Sequence, residues 1–229
     1  MDTGLYIAAS GMLAQQVRQD QLANDLSNAS TPGYKTESSV QQDFGGMLLS
    51  NTATGKPIGQ LNTGVHLGAP VTDLTPAALH STGQPLDFGI AGQGFFALRT
   101  PQGIRYTRDG QFQASAQGLL VDGQGNQVLS QNGAPIAVSA QGTVPAASLG
   151  IFNLTGVTKQ GNNLYTGALA GRGTGTVRQG ELEDSAVDPV NTMVHMMTAL
   201  QTYQSGENAI QTIASTMQES AQSVGSLGG

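Results

Sequence analysis

The sequence predicts an α+β fold, with long N- and C-terminal helices pairing as a coiled coil and a central antiparallel β-rich domain. The first 30 residues contain no proline and carry apolar side chains at helical spacing. The last 45 residues repeat this pattern. Between them, residues 82–180 hold most of the glycines and alternate short apolar runs with turn dipeptides, as antiparallel strands do.

The N-terminal helix is predicted from an alternating spacing of three and four residues that begins at Leu5 and ends at Ala29. Six of the eight positions in this register are apolar, and two glutamines occupy the middle. We expect the largest of these side chains to form an assembly interface: Leu5, Met12, Leu22 and Leu26.

The C-terminal helix is predicted to begin at Asp188-Pro189, because Asp caps free helix amides and Pro is tolerated at the first helical position. From Met193 onward, nine of ten positions at the same spacing are apolar. A helix over 189–224 would be about 54 Å long. The interface residues expected here are Met193, Met196, Leu200, Tyr203, Ile210 and Met217.

The two predicted helices are expected to pair with each other. A single amphipathic helix is only marginally stable in water, so two at opposite chain ends would bury their stripes by pairing. A pair still leaves broad apolar faces, which neighbouring subunits would cover. The sequence therefore predicts an assembly.

The remaining boundaries follow from composition. We expect residues 1–35 and 181–229 to form one discontinuous terminal-helix domain, 36–81 an extended connector with one or two strands, and 82–180 the β-rich outer domain. Within the last, Asp109-Gly110 and Asp122-Gly123 are predicted hairpin corners, because glycine accepts the positive φ of such turns.

Composition excludes several classes of function. The net charge is −6 with nine Lys and Arg residues, which argues against nucleic-acid binding. Without cysteine there is no disulfide or thiolate metal site. The N-terminus lacks the basic and apolar regions of a cleavable signal peptide, and no apolar run is long enough to span a membrane.

Nothing in the sequence indicates an enzyme. His66, His80 and His195 share no metal-ligand spacing and are expected to be surface or packing residues. The glycines of residues 89–94 are in the wrong order for a dinucleotide loop. We therefore expect no catalytic residue, no metal, no cofactor and no small-molecule substrate.

Three blocks carry a family resemblance. The stretch LANDLSNASTPGYK, residues 22–35, is similar to the N-terminal signature of bacterial flagellar rod and hook proteins, with Asp25 and Ser27 as departures. STGQPLDFGIAGQGFFAL and YTRDGQF resemble the family's central segment, and GELEDSAVDP resembles its C-terminal segment, with Ala186 in place of the usual Asn. The matching motif residues are Asn24, Asn28, Thr31, Pro32, Gly33, Tyr34, Lys35, Pro85, Leu86, Asp87, Gly94, Phe95, Phe96, Tyr106, Thr107, Arg108, Asp109 and Gly110.

The first block also predicts a sharp corner. Pro32 cannot continue a helix and biases Thr31 away from helical geometry, while Gly33 would supply a type II turn. The corner would redirect the chain from the helical layer toward the β domain. Asn24 and Asn28 are candidates for inter-subunit or backbone hydrogen bonds.

The resemblance implies a structural subunit of the flagellar basal-body rod, which assembles into a helical tube and transmits torque from motor to hook. Its implied partners are copies of itself, other rod and hook subunits, and the flagellar type III export apparatus, which exports it without a cleaved signal. The length of 229 residues favours rod over hook, and the stretch before Pro85 favours the distal rod. The alternatives are a short hook subunit or, in another class, a soluble β-rich binding or adhesin module.

Overall fold

The computed structural model describes residues 2–43, 47–50, 57–61 and 64–226. The chain forms two compact units. Unit 1 comprises Met1–Leu26, Glu37–Val71 and Val190–Gly229, and unit 2 comprises Ser27–Thr36 and Thr72–Pro189. The predicted terminal helices and central antiparallel β domain are confirmed. The predicted division into helical domain, connector and outer domain stays a prediction.

Unit 1 contains most of the two helices, α1 (Asp2–Ser27) and α2 (Pro189–Ser226). Its strands are β1 (Glu37–Asp43), β2 (Met47–Ser50), β3 (Pro57–Leu61) and β4 (Val65–Thr72). They form two small sheets, in which β1 pairs with β4 and β2 pairs antiparallel with β3. Residues 36–81, for which one or two strands were expected, therefore contain these four and a fifth, β5 (Leu79–Ser81), which belongs to unit 2.

Among the described residues, the two helices of unit 1 approach each other at Gly4 and at Gly206. A methyl group added at Gly206 would lie 2.8 Å from Met12 Cγ, and one added at Gly4 would lie 3.8 Å from Ile213 Cδ1. Partner numbers on α2 fall as those on α1 rise, so the helices are antiparallel. Coiled-coil geometry along their full length stays a prediction.

The side of α2 that is covered within the chain differs in part from the predicted stripe. Met193 and Leu200 are 49% and 46% exposed. Small residues occupy three of the eight covered positions described on α2, and at Gly206 the approach of Met12 leaves little room for a side chain. The buried and half-buried residues are Thr192, Met196, Ala199, Tyr203, Gly206, Ile210, Ile213 and Met217.

Unit 2 contains most of the strands of the chain. They are β5 (Leu79–Ser81), β6 (Phe88–Ala91), β7 (Phe95–Thr100), β8 (Gly103–Thr107), β9 (Gln113–Ala114), β10 (Leu120–Val121), β11 (Gln127–Leu129), β12 (Ile151–Lys159), β13 (Leu164–Arg172), β14 (Thr176–Gln179) and β15 (Glu181–Glu183), with a 3₁₀ turn at Ala146–Ser148. Seven of them form a sheet of order β12-β13-β8-β7-β11-β10-β9, with β12 also pairing with β7. Two further antiparallel pairs, β6–β14 and β5–β15, join strands far apart in sequence.

The core of unit 2 is a continuous apolar cluster supplied by β6, β7 and the strands and loops after them. Phe96 stacks edge-on against Phe112, with ring centroids 5.3 Å apart. The members of the cluster are Phe88, Ile90, Phe96, Leu98, Phe112, Leu120, Val128, Ile136, Val144, Leu149 and Ile151.

One predicted hairpin corner is confirmed and the other is wrong. Asp122 begins the turn between the paired strands β10 and β11, but the positive φ of 84° lies at Gly125, not at Gly123. Asp109-Gly110 joins β8 to β9, which pair with other strands and not with each other. Gly110 has no positive φ; instead a Cβ there would overlap the Phe88 carbonyl oxygen.

Candidate functional site

The predicted corner after α1 is present in unit 2. Tyr34 N donates to Thr31 O at 3.3 Å, which closes a four-residue turn with Pro32 and Gly33 at its centre. Gly33 has φ of 64°, the positive value that the third residue of a type II turn requires. The prediction of a tight turn at Gly33 is confirmed.

Other segments of unit 2 hold this corner from three sides. Gly33 N donates to Glu183 O at 2.8 Å, and Asn163 Nδ2 donates to Pro32 O at 3.0 Å. A Cβ on Gly33 would overlap the backbone carbonyl of Arg108. Glycine is thus required here both by the backbone angle and by the close approach of a second strand end.

Directly after the corner lies a group of three charged side chains, Lys35, Arg108 and Glu183, which we name the ion cluster. Lys35 Nζ lies 2.7 Å from Glu183 Oε1, and Arg108 Nη1 lies 3.0 Å from Glu183 Oε2. All three side chains are at most 1% exposed. One residue comes from each block of the family motif, so the cluster joins the three blocks in space.

Backbone groups complete the coordination of the ion cluster. Lys35 Nζ also donates to Thr75 O at 2.6 Å, and Arg108 Nη2 donates to Gly92 O at 2.9 Å. Ala77 N donates to Glu183 Oε1 at 2.8 Å. These bonds replace hydration that the buried charges have lost. Among the described residues, Arg108 Nε is the buried side-chain polar atom left without a partner.

The electrostatics of Lys35 reflect a balance between burial and pairing. Burial lowers the pKa of the Lys35 ammonium, and the hydrogen bond and charge of Glu183 oppose that shift. The positive charge of Arg108 acts in the same direction as burial. The negative charge of Glu183 therefore offsets the repulsion between the two buried cations and the cost of burying them.

Aromatic rings surround the ion cluster. The Arg108 guanidinium carbon lies 5.4 Å from the centroid of Phe95, whose ring is 5.5 Å from that of Tyr165. On the other side, Lys159 Nζ lies 3.9 Å from the Tyr34 ring centroid and donates to Lys35 O at 3.1 Å. Cation–π contacts of this kind are favourable where the charge is desolvated.

The residues of the central motif block have structural roles. Asp87 is buried, and its Oδ2 accepts a hydrogen bond from Thr82 Oγ1 at 2.6 Å. Pro85 O accepts one from Gln179 Nε2 at 2.7 Å, and Leu86 packs against the core. A Cβ on Gly94 would overlap Ile151 Cγ2.

The YTRDG residues each make a different contact. Tyr106 packs against Phe152 with ring centroids 6.1 Å apart, and Thr107 Oγ1 donates to Asn163 O at 3.0 Å. Asp109 Oδ1 accepts from Gln111 N at 2.9 Å. Burial raises the pKa of the Asp109 carboxyl to about 6, and the nearby charges of Asp122 and Asp87 act in the same direction.

Sequence reasoning missed two residues of this site, Glu183 and Asn163. Glu183 lies within the quoted GELEDS block, and the available clue was that Lys35 and Arg108, if buried together, require an anion. Asn163 has φ of 56° in a loop and offered no such clue. Of the two predicted asparagines, Asn28 accepts from Thr31 Oγ1 at its side-chain Oδ1 (3.2 Å) and from Ser185 Oγ at its backbone carbonyl (2.9 Å). A role of either asparagine between subunits stays a prediction.

A second candidate site is an exposed apolar surface on α2 in unit 1, which we name the exposed stripe. Its five residues recur at intervals of three and four positions, so they share one side of the helix. Exposed apolar surfaces of this kind mark interaction sites. The members and their exposed fractions are Val190 (71%), Met193 (49%), Val194 (48%), Met197 (57%) and Leu200 (46%).

The other expected interface residues, Leu5, Met12, Leu22, Leu26, Met196, Tyr203, Ile210 and Met217, are half-buried. Two of the predicted ten, Met193 and Leu200, thus belong to the exposed stripe. Within the described part of the chain, no helix combines the length and apolarity of a membrane span. Nor do the described residues contain three or more acidic or histidine side chains grouped to hold a metal ion.

Three family profiles match the chain in order. The profile of the flagella basal body rod protein covers residues 5–35, which include α1 and the corner. The D1 domain of the flagellar hook protein FlgE/F/G covers residues 89–157, and the C-terminal region of the flagellar basal body rod FlgEFG protein covers residues 178–223. Each profile contains one member of the ion cluster.

Individual relatives align with this chain over nearly its full length. The chain is 32% identical to the flagellar basal-body rod protein FlgG of Bacillus subtilis, covering 94% of this chain and 96% of that protein. It is 32% identical to FlgG of Borreliella burgdorferi (93% and 95% covered) and 27% identical to the rod protein FlgF of Mesorhizobium japonicum (99% of both). The chain therefore belongs to the FlgG/FlgF family of flagellar basal-body rod proteins, as the motif blocks predicted.

Proposed function

We propose that this chain is a structural subunit of the flagellar basal-body rod that assembles with copies of itself through its terminal helices. The single observation that carries the assembly proposal is the exposed stripe on α2. Five apolar side chains that are each about half exposed or more would be covered by a neighbouring helix in a polymer. Covering one half-exposed side chain of this size contributes on the order of 1 kcal/mol.

The side-chain types of the stripe fit such a role. Met193 and Met197 are unbranched and adapt to neighbours of different shape, as a helical polymer requires where one surface meets several copies. The stripe contains no charged residue, so its burial leaves no unpaired charge. Leu5, Met12, Leu22, Leu26, Met196, Tyr203, Ile210 and Met217 would support it from within the helix pair.

The finer parts of the proposal rest on the family. Its members are named as rod and hook-basal-body proteins, which supports rod and hook subunits as partners and the basal body as location. Export through the flagellar type III apparatus and a place in the distal rod are proposed on the same ground. The relatives include both FlgG and FlgF proteins, so their names leave distal and proximal positions open.

Localisation tests the proposed function. A tagged full-length chain expressed in its own host should co-purify with basal bodies after the outer filament is removed. A strain in which the gene is deleted should form only truncated rods and be non-motile. Recovery of the tagged chain only in soluble fractions, together with normal motility of the deletion strain, would support the adhesin or binding-module alternative instead.

A further inference from the structure

Residues 176–187, which we name the strap, run along several earlier parts of unit 2. β14 pairs antiparallel with β6 over four residue pairs, from Thr176 opposite Ala91 to Gln179 opposite Phe88. β15 pairs with β5 over three, from Glu181 opposite Ser81 to Glu183 opposite Leu79. Each pair is a separate two-stranded sheet, so the strap is the strand neighbour of β5 and β6.

The strap also completes the apolar core. Phe88 and Ile90 of β6 are 0% and 1% exposed, and Val177 of the strap packs against the same cluster. Leu182 and Val187 are themselves buried. Removing the strap would expose the β6 side of the core to water and leave β6 without its hydrogen-bonding strand.

The strap further supplies the charge that the ion cluster needs. Glu183 contacts Lys35 with one carboxylate oxygen and Arg108 with the other. Before the strap docks, the two cations would be buried without the carboxylate that both of them contact in the folded chain. Breaking a buried pair in this way is strongly destabilising, because an uncompensated charge stays in a region of low dielectric constant.

Finally, the strap holds the segment that follows α1. Gly33 N donates to Glu183 O at 2.8 Å, Ala186 N donates to Tyr34 O at 3.0 Å, and Ser185 Oγ donates to Asn28 O at 2.9 Å. The strap continues directly into α2 at Pro189. The chain leaving α1 and the chain entering α2 are therefore joined by the strap within unit 2.

We propose that the strap is a C-terminal latch and that unit 2 becomes stable only when it docks. This one segment supplies the strand partners of β5 and β6. It also supplies the apolar side chains that cover the β6 side of the core and the anion of the ion cluster. A chain emerging N-terminus first thus stays open until residue 187 is available. Docking then closes unit 2 and brings together the two segments that lead to the helices in a single step.

Native-state hydrogen exchange of the full-length wild-type chain tests the latch. The amides of β14 and β15 are compared with those of β7 (Phe95–Thr100) in the central sheet, under conditions where exchange reports the opening equilibrium. The latch predicts that strap and β7 amides have protection factors within about threefold of each other, since both exchange only when unit 2 opens as a whole. Strap protection more than about tenfold below that of β7 would overturn it, because the strap would then open while the core stays closed.

Two matched variants extend the test. Glu183→Gln removes the cluster's anion, whereas Glu181→Gln makes the same change two positions earlier, where the carboxylate forms only a 3.6 Å surface pair with Arg178. Glu183→Gln should lower protection of the strap and of β7 together by about 100- to 5,000-fold, and Glu181→Gln by less than about threefold. A loss of amide protection that is confined to the strap in Glu183→Gln would contradict the latch. If that variant does not fold, the comparison of strap and β7 amides in the wild-type chain is the deciding test.

Discussion

Lys35 Nζ lies 2.7 Å from Glu183 Oε1, although 148 residues separate the two along the chain. Both side chains are fully buried, and the second carboxylate oxygen of Glu183 is taken by Arg108. The pair therefore connects the turn after the first helix, the central sheet and the segment before the last helix. We expect such a pair to favour one arrangement of these three distant segments, because another arrangement would leave a buried charge unpaired.

Lys35→Met should destabilise unit 2 less than Glu183→Gln. Without Lys35, Glu183 keeps Arg108 as its counterion, so we expect a loss of about 1–3 kcal/mol, against about 3–5 kcal/mol for Glu183→Gln, which leaves two cations. In the double variant the two losses should fall short of additivity by at least about 1 kcal/mol. Urea unfolding followed by tyrosine near-ultraviolet dichroism measures this, since Tyr34 and Tyr165 are buried in unit 2. Additive losses would show that the two residues act independently.

Gly33→Ala should cost several times more than Gly118→Ala. Both glycines have positive φ, 64° and 74°, so both substitutions carry the backbone penalty of about 1 kcal/mol. Only Gly33 lies against a second backbone, that of Arg108, whereas a methyl group at Gly118 meets nothing within 4 Å. We expect a loss of about 3 kcal/mol or more at Gly33, measured by the same unfolding assay. Equal losses would mean that the corner can move away from Arg108.

Asp109→Asn should change how stability depends on pH. Burial raises the pKa of Asp109 from 3.8 to about 6, so between these values the folded chain holds a proton that the unfolded chain has released. The wild-type contribution is thus largest below pH about 4 and is lost as the pH rises through about 6, with a total of about 2–3 kcal/mol. Asn keeps the oxygen that accepts from Gln111 N.

The measurement for Asp109 is the difference in unfolding free energy between Asp109→Asn and wild type at several pH values. This difference should shift in favour of the variant by about 2–3 kcal/mol from pH about 4 to pH about 7. A difference that stays constant across this range would show that the carboxyl ionises at its ordinary pKa. Gln111→Ala, which leaves the carboxyl in place, serves as the control.

Leu200→Asp and Ile210→Asp should affect the helices differently. Leu200 is 46% exposed in the single chain, whereas Ile210 is half-buried on the covered side of α2. An aspartate at 210 would place a charge between the helices and should reduce helical far-ultraviolet dichroism, while Leu200→Asp should leave it unchanged. The tyrosine signal of unit 2 should persist in both. Equal loss of helical signal in both variants would argue against placing Leu200 on the exposed side of α2 and Ile210 on its covered side.

The sequence was sufficient for features that depend on local patterns. The stripes from Leu5 and Met193 predicted both helices, and Pro32-Gly33 predicted the turn that Gly33 makes with φ of 64°. Motif order alone identified the family. Such features are fixed within a few residues of one another, where helix periodicity and backbone angles decide the conformation.

Features that depend on distant contacts were missed or misjudged. Gly110 was expected to serve a hairpin but instead makes room for Phe88 O, a contact between segments 22 positions apart along the chain. Met193 and Leu200 were expected on the covered side of α2 but are 49% and 46% exposed, whereas Ala199 is buried and Gly206 lies against Met12. Glu183 gave no local sign that its two oxygens would bind Lys35 and Arg108.

Sedimentation velocity of the full-length chain over a range of concentrations tests most directly the proposal that it assembles through the exposed stripe. Wild type should form larger species as concentration rises. Leu200→Asp should remain monomeric with its dichroism intact, and Thr202→Asp, a change at an exposed polar position on another side of the same helix, should assemble like wild type. Unchanged assembly of Leu200→Asp, or a wild-type chain that stays monomeric at every concentration, would contradict assembly through this stripe.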